Sequence, residues 1–302
     1  MTEVVGPEIP RLLTKEQMDN LYQDILATAF AERPTAINAN LQDVKVLIAN
    51  GIHLIERLEE TTHQTRPEVH TDTDVIYIDS GPGPYSYQML EPGKTDLDDK
   101  SYHGWKWSRK MDRARIRVSY TLAAMVTAKR IEEQTKTVKP PKDLTSEDFE
   151  KFGPYLMYAS VDWQQRHIEY VLGLARQRER AQFLIPASKI ITYKEYINRE
   201  GEEKPIVNTD DQVEGLHFPP FNETHPPKRI VMVSHPAHLM RILHILGKYP
   251  DSIPQETTLQ LFPIPTPKDA VTEYAKAEIL GTLGTIFRRG RATFVPYANY
   301  EL

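Results

Sequence analysis

Apolar residues recur at helical spacing through the first part of the chain. Leu21, Ile25, Leu26 and Phe30 follow Thr14 and Gln17, and Pro34 stands beyond them. Thr14 is a good N-cap, Gln17 completes a capping box, and proline marks the stop, so the pattern predicts one helix here. A second helix is predicted from about Asn40 to Glu59, where Leu41, Val44, Leu47, Ile48, Ile52 and Ile55 make one stripe interrupted only by Gly51. The polar run from Thr61 to Thr73 reads as a connection.

The period then changes. Asp74 to Asp79 is short, β-branched and apolar, and it stops at Ser80-Gly-Pro-Gly-Pro84, which is the signature of a buried strand entering a loop. Similar runs cover 155–159, 189–192, 229–234 and 258–263. Helical patterns lie between or after them, at about 112–132, 163–178, 236–248 and 268–288. Strands alternating with helices imply right-handed crossovers and a parallel sheet covered on both faces. The expected fold is therefore a three-layer, Rossmann-like α/β domain with a mainly parallel sheet of about five strands. The helices of residues 1–70 are expected to pack on that core as an extension, since their apolar stripes need a partner. Two stretches exceed ordinary crossover loops. Residues 84–111 are polar and aromatic, with Trp105 and Trp107, and residues 194–228 are charged and proline-rich. Loops of this length usually serve as lids or interaction segments.

Composition narrows the class. With 302 residues, 40% hydrophobic, 26% charged and a formal net charge of −5, the chain reads as a globular protein with no general attraction for nucleic acid or anionic membrane. It has no cysteine, which excludes disulfides, thiolate chemistry and cysteine zinc sites. No basic start followed by an apolar run opens the chain, and no apolar stretch approaches the roughly 20 residues that span a bilayer. A cytoplasmic location is the expectation. Oligomeric state is not readable from these features.

In open α/β sheets ligands bind beyond the carboxyl ends of the strands, so the polar residues that follow each strand are the candidates. The first segment, Asp79 to Gly83, offers Ser80, Gly81 and Gly83 for close backbone approach, although Pro82 and Pro84 lack the amides of a phosphate cradle. A rigid turn is the equal alternative. The second, Ser160-Val-Asp162-Trp163, opens a helix, so Ser160 or Asp162 is read first as its N-cap and second as a ligand contact. The third, Asn208-Thr209-Asp210-Asp211-Gln212, carries the same two readings. The fourth, Ser234-His-Pro-Ala-His238-Leu-Met-Arg241, is the sharpest. Pro236 suits a first helical turn, and His238 and Arg241, three apart, share a helix face near an end that favours anions. The bland alternative is that His238 and Arg241 pair within the domain. His235 and His238 have no third metal ligand at readable spacing, and no G-x-S-x-G elbow supports a serine hydrolase.

The order of these segments resembles the YdcF/SanA/ElyC-like family over about residues 74–266. The matching parts are a first strand ending in small residues, an Arg-led helix (here Arg115 to Leu122), a second strand followed by Ser160, the Asn208-Thr209 pair, and Ser234-x-x-x-His238-x-x-Arg241. The chain departs from the family at Ala159, where a serine precedes a glycine, and at Asp211 and Gln212, where Glu and Asn are usual. The resemblance makes 71–302 a YdcF-like domain and implies a nucleotide-like ligand, with S-adenosylmethionine the candidate cofactor. The leading expectation is a binding protein, or a transferase, for an adenosine-containing or phosphorylated small molecule. Ser80, Gly81, Gly83, Ser160, Asp162, Asn208, Thr209, Ser234 and Arg241 would contact it. His238 would be the general acid or base, since imidazole titrates near neutral pH. The alternatives are a non-catalytic interaction module or a hydrolase of phosphorylated substrates.

Overall fold

The computed structural model describes residues 13–63, 68–79, 108–159, 185–219, 221–222 and 224–302. Three helices open the chain: α1 (Lys15–Glu32), α2 (Pro34–Ala39) and α3 (Leu41–His63). The Thr14–Gln17 capping box is formed, with each partner's side chain accepting from the other's backbone N–H. Pro34 does not simply end the helical region. It takes the first turn of α2, where its missing N–H costs nothing.

The sheet contains β1 (Thr73–Ile78), β2 (Tyr155–Ala159), β3 (Ile190–Tyr193), β6 (Arg229–Ser234) and β7 (Thr258–Pro263), in the order β3-β2-β1-β6-β7 and parallel throughout. A separate antiparallel hairpin, β4 (Glu195–Ile197) with β5 (Glu203–Pro205), stands beside it. The fold is the three-layer α/β arrangement expected, with N-terminal helices.

Strand alternation sorts the core. Ile76, Ile78, Leu156, Tyr158, Val231 and Val233 face one side. There they meet Ile116, Tyr120 and Ala123 of α4 (Ser108–Thr135) and Phe149 of α5 (Ser146–Phe152). Val75, Tyr77, Met157, Ala159, Ile230 and Met232 face the other side and meet Leu239, Ile242 and Leu243 of α7 (Pro236–Leu246). Burying each such aliphatic side chain contributes roughly 1.5–3 kcal/mol. Outside this layer, Ile25 of α1 and Leu47, Ile48 and Ile52 of α3 close over Met240 of α7 and Ile279 of α8 (Val271–Gly284). Gly51, on α3, faces Ile279 and Met240, so the two helices approach closely there.

Arg130 fastens the amino-terminal edge of the sheet. Its guanidinium donates to the carbonyls of Thr71, Thr73 and Phe152 at 2.7, 2.8 and 3.0 Å, and it pairs with Asp74. The C-terminal tail covers the outer edge of β7, where Leu261 N–H donates to Glu301 and Glu301 N–H donates to Leu259, both at 2.9 Å. Among the described residues no helix is long and apolar enough to cross a membrane.

Candidate functional site

The strand order reverses direction between β1 and β6, since the chain runs outward to β2 and β3 on one side and to β7 on the other. Such a switch point opens a crevice beyond the carboxyl ends of the two central strands. Asp79 follows β1 and Ser234 ends β6. The register Ile78–Val233 and the bond from Asp79 N–H to the Val233 carbonyl at 3.3 Å put the two side by side on the α7 face.

Helix α7 starts at once after Ser234. His235 precedes it, and Pro236 takes its first turn. His238 sits one turn in and is 1% exposed. Its Nδ1 lies 3.1 Å from Glu278 Oε1 of α8, and its Nε2 lies 3.2 Å from Asp79 Oδ2. Burial by itself would lower the pKa of this imidazole. The carboxylates of Glu278 and Asp79 outweigh it and raise the value to about 9. His238 is therefore an imidazolium at neutral pH, with both ring nitrogens facing carboxylates.

Arg241, one turn further, extends the chain of charges. Its Nη2 is 3.2 Å from Asp210 Oδ1 and its Nη1 is 3.6 Å from Glu278 Oε2. Gly281 on α8 leaves room for this guanidinium, because a Cβ there would stand 2.9 Å from Arg241 Nη1. Asp210 in turn accepts from Thr285 Oγ1 at 3.1 Å and from Arg289 Nη1 at 3.0 Å. Thr285 and Arg289 belong to a π-turn, Thr285–Arg289, that continues α8 and closes on Gly290 at φ 60°, where glycine is favoured. Glu278 is pushed upward by burial, but His238, Arg241 and Arg115 together hold it below the usual carboxylate range.

The Asn208 segment meets the same network through its neighbour. Asn208 Oδ1 accepts from the N–H groups of Asp210 and Asp211, which makes it the N-cap of α6 (Thr209–Glu214). Thr209 is buried beside it, and Asp210, fully buried, holds Arg241. The capping reading of Asn208 thus describes its side chain, and the turn it caps carries Asp210. His235 donates through Nδ1 to the Ile264 carbonyl at 3.0 Å. Burial and the nearby Arg115 push its pKa well below the ordinary value, so it is neutral. Arg115 reaches Tyr274 Oη at 3.1 Å from the opposite layer.

Of the residues singled out in the sequence, Ser234, His238 and Arg241 come together, with Asn208 and Thr209 adjoining through Asp210. Ser80, Gly81, Gly83, Ser160 and Asp162 lie outside the described residues, as do Trp105 and Trp107. Glu278 was not singled out in the sequence, and Asp79 and Asp210 were named only within the candidate segments 79–83 and 208–212, not as contacts themselves. Glu278 did leave a signal. It shares a helix face with Val271, Tyr274, Ala275 and Thr282, all buried, and an acid on an otherwise buried face demands a partner. No group of described residues is arranged to hold a metal ion. The chain matches no family model, no curated protein and no solved structure. The resemblance to the YdcF/SanA/ElyC-like family rests on the order of its short motifs alone.

Proposed function

We propose that the chain binds an adenosine-containing or phosphorylated small molecule over the carboxyl ends of β1 and β6. The observation that carries this is the convergence there of Asp79, Asp210, His238, Arg241 and Glu278 from four separate segments, all buried or nearly so. A buried ionic network stabilises a fold less than well-packed apolar side chains of the same volume. Clusters of this kind are concentrated at functional sites. S-adenosylmethionine is the ligand that the YdcF-like resemblance offers, and a transferase is the enzyme class that would follow from it.

The electrostatics bear on the role of His238. With a pKa of about 9, the group carries its proton at neutral pH and serves as an acid or a fixed positive charge, not as a base. A hydrolase that needs an imidazole base is correspondingly less well supported than a binding protein. Native mass spectrometry of the purified chain tests the proposal. The expected result is a bound small molecule, released on denaturation, or a complex formed on adding S-adenosylmethionine or adenosine monophosphate. A bare chain that takes up neither at millimolar concentration would refute it.

A further inference from the structure

The buried groups beyond the carboxyl ends of β1 and β6 differ in how fully they are used. Arg241 was the expected anion contact, yet its fork is engaged: Nη2 faces Asp210 and Thr285, and Nη1 faces Glu278. Its Nε makes no hydrogen bond, but the guanidinium already faces two carboxylates. His238 is likewise set between Asp79 and Glu278.

Asp79 is the opposite case. It is 1% exposed; its Oδ2 meets His238 Nε2 at 3.2 Å, and its Oδ1 makes no hydrogen bond among the described residues. A carboxylate offers about four lone-pair sites, and the contact that the described residues give it is His238 Nε2 on Oδ2. Burying an acceptor of this kind without hydrogen bonds is costly, and such exceptions need a reason. Ser234, fully buried and beside Asp79 across the β1–β6 pair, also has an unbonded Oγ. The phenol of Tyr77, two residues before Asp79 on the same face, is buried with them against Tyr193. Burial, Tyr193 and Asp79 hold its pKa well above the ordinary value, so it keeps its proton. The unsatisfied set is thus one carboxylate oxygen beside the Ser234 hydroxyl. An anion placed there would meet the Asp79 carboxylate in a low-dielectric setting, whereas a hydrogen-bond donor would complete it.

We infer that Asp79 is the specificity-determining residue of the proposed site and that it takes a hydrogen-bond donor of the ligand, a vicinal diol or an amino group, with Ser234 alongside. The inference rests on the proposed reading of the crevice as a small-molecule site. A ribose and an amino-acid ammonium share the donor chemistry, so separate probes distinguish them.

The test is calorimetric titration of the full chain with adenosine, L-methionine and inorganic phosphate, each alone, with thermal unfolding recorded on the same samples. Adenosine or methionine should bind more tightly than phosphate, and D79N should weaken the binder tenfold or more. Ser234→Ala removes a hydroxyl without breaking an ion pair and should cost about threefold. It decides the matter if D79N does not fold. Phosphate binding more tightly than both donors overturns the inference and leaves the small-molecule reading standing. So does wild-type affinity in folded D79N, or in Ser234→Ala where D79N does not fold. Failure of all three probes overturns both.

Discussion

His238 and Arg241 were legible in the sequence because their spacing after a strand, with Pro236 between, leaves little choice of position. Their partners were not legible. Glu278 lies 40 residues from His238, and Asp210 lies 31 residues from Arg241. No local pattern couples positions that meet only when α8 and α6 close on α7. The consequence of the pairing is a pH dependence with a definite sign. His238 has a folded pKa of about 9 against 6.5 for the ordinary imidazole, so its contribution is fully present below pH 6.5 and is lost as pH rises through 9. A shift of this size corresponds to up to about 3 kcal/mol. His238→Gln leaves Asp79 and Glu278 buried without their cation and should destabilise the fold by about 3–5 kcal/mol at pH 6.5. The loss should shrink markedly by pH 10, where wild type has given up the same proton. Urea unfolding of both proteins at the two pH values checks this, and a difference independent of pH would contradict it.

At the scale of elements, the long apolar stripes and short β-branched runs were enough to find every strand of the sheet and helices α1, α3, α4, α7 and α8. The hairpin of β4 and β5 was hidden inside the stretch expected to be a loop, where α6 showed only as a helix start capped at Asn208. Strands of three residues carry no readable period, and α6 is made by the Asn208 cap and the ion pairs of Asp210 and Asp211 more than by apolar spacing. Helix α3 shows the same limit. Its apolar stripe was visible, but Glu59, 1% exposed near its end, was not distinguished from a surface acid. Both Glu59 oxygens lie 3.3 Å from the Thr266 N–H, which ties α3 to the segment after β7. Burial raises its pKa to about 6, although the bonds from Thr266 oppose the shift. A raised carboxyl pKa favours the fold below the unfolded value of 4.5, and that benefit is lost as pH rises through about 6. Glu59→Gln keeps an acceptor for Thr266 and removes the charge. It should therefore raise stability by about 1–2 kcal/mol at pH 8 and leave it nearly unchanged at pH 4.5. Equal melting temperatures of the two proteins at pH 8 would show that Glu59 carries no such penalty.

For the whole molecule, the parallel sheet followed from alternation of strands and helices, but the order of its strands did not. Nothing local distinguishes β6 beside β1 from β6 beside β3, because both give a buried apolar run. The order matters to the proposed site, since it puts Asp79 and Ser234 on neighbouring strands at a switch point and brings α7 and α8 over them. That placement is the basis for proposing a small-molecule site there. Amide hydrogen exchange with and without saturating S-adenosylmethionine tests it most directly. The account predicts slowed exchange concentrated at 75–79, 208–212 and 234–241, with α1 and α5 unchanged. Unchanged exchange in those three segments, or protection confined to regions away from the carboxyl ends of β1 and β6, would contradict it.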